Sequence, residues 1–253
     1  MNASTHASPR SWRSFLPVVF ALPLLFGLAA CSDDDDDNGF KPNVGETNLR
    51  ALHLSPDAPA VDVFLNNGAA AAVSDLSFSE GTGYLTIPEG TYEIDVAANG
   101  QTANDAVLSV PGLSLEKDLY YTAVAYNTLS GIAALALVDN YTGLAAGNIR
   151  VRAIHTAAGV GQVDIWNVTN PGSPGVLYAD VDFSEVGAYL DLPAAAYTLG
   201  FDVNNDAVPD LNFAIPALPA GTVANVFAVR ASNGDVFLLA QLQSGATVRI
   251  DPL

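Results

Sequence analysis

A histidine and an aspartate nine residues apart form the most specific polar pattern in the sequence, because the pair occurs twice. His53 and Asp62 make the first pair, and His155 and Asp164 repeat it 102 residues later. Each pair is either a cross-strand contact that fixes the register of a hairpin or part of a ligand site at the mouth of the loop between them. One histidine and one carboxylate per copy are too few to hold zinc on their own.

The first pair flanks a loop at residues 55–60, and the predicted antiparallel hairpin pairs Leu54 with Val61 on either side of it. Two prolines restrict the backbone of this loop. Ser55 and Asp57 can accept hydrogen bonds from nearby backbone N–H groups. The loop is therefore either a rigid turn or a preorganised recognition loop on a rigid scaffold.

A weaker pattern in the second half of the chain points to calcium. Asp202, Asn204, Asp206 and Asp210 have the spacing of the front half of a calcium loop, and the hard cation takes about six to eight oxygen ligands. However, Ala207 stands where the EF-hand loop needs glycine. A hairpin turn rich in Asn and Asp explains the same residues and is the favoured interpretation. Apart from this weak calcium candidate, no cofactor is expected.

Composition and motifs argue against catalysis and against nucleic-acid binding. The sequence contains no Gly-x-Ser-x-Gly elbow, no His-Glu-x-x-His pair and no Gly-x-x-x-x-Gly-Lys phosphate loop. A single cysteine excludes a cysteine-based metal cluster. The chain has 27 acidic and 9 basic residues, a formal net charge of −18, and such a surface repels phosphate backbones. We therefore predict that the protein is not an enzyme and does not bind nucleic acid.

Residues 1–30 are predicted to be an export signal and no part of the fold. Arg10 and Arg13 precede an apolar run at residues 15–30, which is the pattern of a secretory signal peptide. The run is shorter than the about 20 residues of a membrane-spanning helix, and two prolines interrupt it. Residues 28–31, Leu-Ala-Ala-Cys, resemble the bacterial lipobox. The resemblance implies cleavage before Cys31 and its acylation, for example with palmitate, which anchors the chain to a membrane.

Residues 31–47 are predicted to be the acylated cysteine and an acidic linker. Five consecutive aspartates at residues 33–37 repel one another and cannot pack, so this stretch is a solvated spacer. It also resembles the acidic tract of some surface-displayed lipoproteins. By resemblance to lipoprotein sorting, Ser32 favours the outer membrane. We expect an exported protein, lipid-anchored in the outer membrane and facing either the periplasm or the cell surface.

The remaining chain carries one pattern twice, which predicts domains at residues 48–140 and 148–246 with a join at 139–147. Leu-Arg-Ala-Leu-His at residues 49–53 corresponds to Val-Arg-Ala-Ile-His at 151–155. Short runs rich in Val, Leu, Tyr and Ala alternate with turn residues, about seven runs per copy. In the first copy the predicted strands are residues 49–54, 61–65, 84–87, 92–97, 106–110, 120–126 and 132–138. The sequence therefore predicts an all-β protein with two tandem immunoglobulin-like β-sandwiches. The alanine-rich run at 132–138 is either a strand or a short helix.

The opening loop of the first copy resembles a known bacterial family. His-Leu-Ser-Pro-Asp-Ala-Pro-Ala-Val-Asp-Val at residues 53–63 and Tyr-Leu-Thr-Ile-Pro-Glu-Gly-Thr-Tyr at 84–92 are similar to signatures of the family catalogued as domain of unknown function 4397. The second copy keeps His155 and Asp164 but has Ala157 and Gly159 where the first has serine and aspartate. The resemblance implies an exported bacterial protein with tandem domains, and it implies no activity.

These observations favour a non-catalytic envelope or cell-surface lipoprotein that acts as a binding or structural module for an unknown ligand. Its expected partners are the membrane, through the lipid anchor, and a protein or glycan of the envelope. The alternatives are a glycan-binding adhesin, which needs an exposed aromatic patch, and a periplasmic hydrolase, which needs converging carboxylates in a pocket. Several tyrosines of the first copy form either a sugar-stacking face or part of the core: Tyr84, Tyr92, Tyr120, Tyr121 and Tyr126.

Overall fold

The computed structural model describes residues 44–253, whose regular structure consists of β-strands and two short 3-10 turns. Seventeen strands in these residues form four sheets, so the predicted all-β class is confirmed. The predicted signal peptide, Cys31 and the acidic linker up to position 43 lie outside the described residues. Within residues 44–253, no helix has the length and apolar character needed to cross a membrane.

The first sandwich is built from two four-stranded sheets. Its strands are β1 (Glu46–Leu54), β2 (Val61–Leu65), β3 (Val73–Leu76), β4 (Leu85–Pro88), β5 (Gly90–Ala98), β6 (Leu108–Leu115), β7 (Tyr120–Tyr126) and β8 (Ala133–Asp139). Sheet A has the order β4-β1-β7-β8 and sheet B the order β3-β2-β5-β6. Short 3-10 turns follow β5 at Ala103–Asp105 and β7 at Leu129–Gly131.

The second sandwich repeats this plan and adds one strand. Its strands are β9 (Asn148–His155), β10 (Val163–Asn167), β11 (Gly175–Val181), β12 (Leu190–Pro193), β13 (Tyr197–Asp202), β14 (Leu211–Ile215), β15 (Val223–Arg230), β16 (Val236–Leu242) and β17 (Thr247–Ile250). Sheet C has the order β12-β9-β15-β16-β17 and sheet D the order β11-β10-β13-β14. The sandwich therefore extends past the predicted end at residue 246.

Most strands of the first copy lie where the pattern of apolar runs and turn residues predicts them. β7 has the predicted bounds, and the alanine-rich run at 132–138 is a strand, β8, and not a helix. β3 was not predicted, because its sequence Val-Ser-Asp-Leu is short and half polar.

The central strands of sheets A and C pair in parallel, which the sequence did not indicate. β1 runs parallel to β7, and β9 runs parallel to β15. A parallel pair needs a crossover connection, and the intervening strands that form sheet B or sheet D provide it. The predicted hairpin between β1 and β2 is consequently wrong, because β1 lies in sheet A and β2 in sheet B.

Three apolar cores hold the sheets together as four layers in the order B, A, C, D. The first core fills the space between sheets A and B and includes Leu49 and Ile94. The second lies between sheets C and D and includes Ile165 and Phe213. The third lies between sheets A and C, where Leu52, Phe227 and their neighbours from both copies pack together. Sheets A and C are therefore covered on both faces, which explains why β1 is buried along nearly its whole length and β15 is a nearly continuous apolar run.

Candidate functional site

The repeated histidines are buried and bonded within their own loops. Nε2 of His53 lies 3.2 Å from the carbonyl oxygen of Pro59, and Nδ1 accepts a hydrogen bond from the backbone N–H two residues further along the chain. His155 makes the same two contacts, with the carbonyl of Gly161 2.9 Å from its Nε2. Burial lowers the pKa of both imidazoles, although the bonds to the carbonyl oxygens oppose this. Each neutral imidazole thus holds its loop in place by bonding to two backbone groups of that loop.

The repeated aspartates are bonded to different segments and do not meet the histidines. Asp62 accepts hydrogen bonds from the backbone N–H groups of Asp75, at 2.9 Å, and Gly100, at 3.0 Å. Asp164 accepts one from the N–H of Asp180 at 2.6 Å. Asp75 and Asp180 have positive φ angles of 57° and 55°, a conformation that costs energy for residues other than glycine. The aspartates therefore stabilise strained positions on the neighbouring strands β3 and β11.

The loop at residues 55–60 is tied to the far end of the β7–β8 hairpin. The carboxylate of Asp57 accepts a hydrogen bond from the backbone N–H of Leu129 at 2.7 Å. Ser55 is fully buried, and its hydroxyl has no hydrogen-bond partner among the described residues. The hydrogen bond to Asp57 is consistent with a rigid turn. The recognition role of the loop stays a prediction.

The four residues of the calcium candidate lie together at the end of β13 and in the loop that follows it, and their oxygens are bonded to backbone and amide groups of that loop. The carboxylate of Asp202 accepts hydrogen bonds from the N–H groups of Asn204, Asn205 and Ala207 at 2.7–3.2 Å. Burial tends to raise the pKa of Asp202, but these bonds outweigh it and lower the pKa. Asp206 and Asp210 likewise accept bonds from N–H groups of the loop. Among residues 44–253, no group of three or more His, Cys, Asp or Glu is arranged to hold a metal ion.

A buried polar cluster that sequence analysis did not single out joins the two sandwiches. Its centre is Asp139, the last residue of β8, whose carboxylate lies 3.2 Å from an Nη of Arg50 and 2.8 Å from an Nη of Arg152. One carboxylate oxygen accepts further bonds from residues of the first copy, Thr122 and Tyr84. The other accepts them from residues of the second copy, Asn225 and Tyr189.

The two arginines occupy matching positions of the repeat and make matching contacts. Nε of Arg50 donates to the Thr122 hydroxyl at 2.7 Å, and Nε of Arg152 donates to the Asn225 side-chain oxygen at 2.8 Å. Each guanidinium also lies over a tyrosine ring of its own copy, with Tyr84 at 4.7 Å and Tyr189 at 4.4 Å from its centroid. The sequence carried this signal, because both the Arg and the Tyr recur in the repeat.

Each arginine also reaches across to the other sandwich. An Nη of Arg50 donates to the carbonyl oxygen of Leu242 at 2.6 Å, and an Nη of Arg152 donates to that of Val138 at 3.1 Å. Leu242 and Val138 are equivalent residues at the ends of β16 and β8. The contacts therefore follow an approximate two-fold relation between the copies, with Asp139 shared by both.

The tyrosines of the cluster serve as hydrogen-bond donors because their hydroxyls stay protonated. Burial raises the pKa of Tyr84, and the nearby Asp139 charge raises it further. Burial also raises the pKa of Tyr189 to about 12, although Arg152 opposes the shift. The arrangement has two cations, one anion and neutral donors. It forms a junction that fixes the position of sheet A against sheet C.

A surface cluster of three tyrosines borders this junction. Tyr84, Tyr120 and Tyr141 pack edge to face, with ring centroids 5.1–6.2 Å apart. Tyr120 is 37% exposed, and the other two are half-buried. Of the other tyrosines considered for a sugar-stacking face, Tyr121 and Tyr126 belong to the cores, and the hydroxyl of the half-buried Tyr92 donates to the Pro88 carbonyl.

The fold and the junction define a protein of two β-sandwiches stacked through a shared core. Residues 47–166 match the model of the family described as "Domain of unknown function (DUF4397)". This match confirms the resemblance of residues 53–63 to the family. The match includes the first sandwich together with β9 and β10 of the second. No curated protein matches the chain.

Two solved structures show similarity at low identity. One, from work on alpha-glucan binding by a streptococcal virulence factor, is 15% identical, with a TM-score of 0.23, and the alignment covers 72% of this chain and 92% of that chain. The other is a fimbrial assembly protein from Parabacteroides distasonis ATCC 8503, 11% identical, with a TM-score of 0.22 and coverage of 82% and 100%. At these TM-scores the similarities support no conclusion about the function of this chain.

Proposed function

We propose that the protein is a non-catalytic binding or structural module of the bacterial envelope, anchored in the outer membrane through an acylated Cys31. The observation that carries the proposal is the stacking of both sandwiches through one core and one buried junction. Such a scaffold is rigid, and rigid scaffolds with loops at their ends are common in binding and structural proteins. The residues that could do chemistry, such as His53 and Asp202, are instead bonded to backbone groups of their loops.

The anchor is supported by the lipobox resemblance and by where the fold begins. β1 starts at Glu46, so residues 32–45 separate Cys31 from the first strand. A fully extended chain of this length spans at most ~50 Å at ~3.4 Å per residue. The linker is thus long enough to hold the stack clear of the headgroup region of a bilayer.

Fractionation of cells that express a Cys31→Ser variant tests the anchor. We expect the wild-type chain in the outer membrane, labelled by radioactive palmitate, and the variant unlabelled and absent from that fraction. Ser32→Asp is the matched control, because it keeps the acylated cysteine and is expected to move the protein to the inner membrane. Recovery of Cys31→Ser in the outer membrane at wild-type levels would remove the lipoprotein from the proposal. Protease treatment of intact cells then separates surface exposure from a periplasmic location.

A second candidate function, glycan binding, is favoured by the surface cluster of Tyr84, Tyr120 and Tyr141. Exposed aromatic rings offer the apolar face on which a sugar ring stacks, and Tyr120 is the most exposed member. Retention of the purified protein on immobilised polysaccharides tests this function. Tyr120→Ala is expected to abolish the retention, and Tyr92→Ala, which changes a tyrosine outside the cluster, is expected to preserve it. Equal retention of the two variants would argue against a glycan site at this cluster.

A further inference from the structure

Rows of small side chains leave space between the two sheets of each sandwich. In sheet C the row consists of three residues on neighbouring strands, Ala153, Val226 and Ala240. In sheet A the corresponding row is Ala51, Ala123 and Ala136. Packed sheets lie about 10 Å apart, and alanine side chains facing across that distance do not fill it. Both sandwiches consequently contain a cavity beside the row.

The cavity between sheets C and D is bordered by a strand that the first sandwich lacks. Its volume is about 150 Å³, and Val248 and Ile250 of β17 line its side. The cavity of the first sandwich is about 210 Å³, and there the edge strand β8 has no such neighbour, so Ala136 of its row is exposed. The extra strand thus adds apolar side chains to the wall of the second cavity, and the first cavity has no such addition.

The lining of the cavity between sheets C and D follows one strand for most of its length. The inward-facing side chains of β9 line it from Ile149 through Val151 and Ala153 to His155. Six residue steps along a strand at about 3.3 Å each amount to ~20 Å. A lining that extends this far along one strand suits an extended flexible chain better than a compact ring.

The wall of the cavity is mostly apolar, and its polar side chains already have hydrogen-bond partners. Its two strongly polar side chains are bonded elsewhere, Arg152 to Asp139 and Asn225, and His155 to Gly161. A cavity of about this size lined by aliphatic and aromatic groups stays dry and accepts apolar ligands. The part of a ligand that enters this cavity is therefore expected to be apolar.

Half-buried apolar side chains continue from the cavity towards the surface. Leu177, Leu192 and Leu218 belong to three different segments and line the same space. We propose that the space between sheets C and D binds one alkyl chain, as carried by fatty acids and membrane lipids. This inference rests on the binding role proposed above and names its ligand class.

Calorimetric titration tests the inference on the full chain carrying Cys31→Ser, which has no acyl group of its own to compete. Dodecanoate probes a free alkyl chain, and dihexanoylphosphatidylcholine probes a chain on a lipid headgroup. We expect binding of at least one probe at one site, with a negative change in heat capacity because apolar surface is buried. Ala240→Leu, which fills the cavity, is expected to weaken binding at least tenfold. Ala136→Leu, the matched change in the first sandwich, is expected to leave it unchanged.

The inference is overturned if neither probe binds, or if Ala240→Leu binds as the parent does while its melting temperature is retained. It is equally overturned if Ala136→Leu weakens binding as much as Ala240→Leu. If Ala240→Leu fails to fold, Ala153→Val is judged by the same tenfold criterion. Membrane retention through Cys31 is measured separately, so a lipoprotein that binds no alkyl chain refutes this inference alone.

Discussion

Replacing Asp139 by asparagine is expected to destabilise the whole stack, because this carboxylate is the anion that pairs with two buried arginines. The side chains are 1% exposed for Asp139, 2% for Arg50 and 7% for Arg152. Asparagine keeps the shape but removes the charge, and it turns one acceptor oxygen into an NH₂ group that faces N–H and O–H donors. Removing one partner of a buried ion pair costs about 3–5 kcal/mol.

The lower end of that range applies here, since both arginines keep other acceptors. Arg50 still donates to Thr122 and to the Leu242 carbonyl, and Arg152 still donates to Asn225. We therefore expect a loss of about 3 kcal/mol in the free energy of unfolding. With a urea dependence of about 1–3 kcal/mol per molar, the unfolding midpoint falls by roughly 1–3 M.

Urea unfolding followed by circular dichroism measures this loss, with Asp191→Asn as the control. Asp191 forms an ion pair with Arg150 at 2.7 Å, but its side chain is 35% exposed, so its loss is expected to matter far less. The slope with urea is expected to stay constant, which makes the shift in midpoint a change in stability. If Asp139→Asn lowers the midpoint no more than Asp191→Asn, the junction does not hold the stack together and the reasoning fails.

Three further outcomes are expected. Phe227→Ala, in the core between sheets A and C, is expected to reduce the free energy of unfolding by about 3–5 kcal/mol. In calorimetry we expect one unfolding transition at a lower melting temperature, and two separate transitions would contradict a shared core. Burial lowers the folded-state pKa of His53 and His155 below 6.5, so the unfolded chain takes up protons first and stability falls as the pH drops below about 6.5. Replacing both by glutamine is expected to flatten that pH dependence in urea titrations between pH 6.5 and 4.5, and an unchanged slope would refute the burial argument. A fragment of residues 44–146 exposes Leu52 and its neighbours on sheet A and is expected to self-associate in sedimentation equilibrium, whereas a stable monomer would show that this face needs no cover.

The positions of the strands could be predicted from local sequence, but their partners could not. Apolar runs bounded by turn residues marked β7 to the residue, because that signal is local. The parallel pairing of β1 with β7 joins residues 72 apart, and neither strand carries a pattern that names its partner. The mistaken hairpin followed from assuming that neighbouring strands pair. The run Leu-Arg-Ala-Leu-His-Leu held contrary evidence, since a strand without alternation is typical of a sheet covered on both faces.

The candidate site was missed for a related reason. Arg50 and Arg152 were recorded as part of the repeat, and their position inside apolar runs was the signal of burial, because a buried arginine needs a partner. The partner itself, Asp139, opens the segment taken as a join between domains. Its importance depends on the packing of sheet A against sheet C, which no local pattern encodes.

The shared carboxylate also explains where the two copies must differ. Face-to-face packing brings equivalent residues of the two copies close together, so one carboxylate at the end of β8 reaches the arginines of both copies. The chain has one buried acid, Asp139, and an exposed Gln243 at the matching position of the second copy. The repeat therefore keeps the arginines and tyrosines twice and the acid once, because a single acid can bond to both arginines.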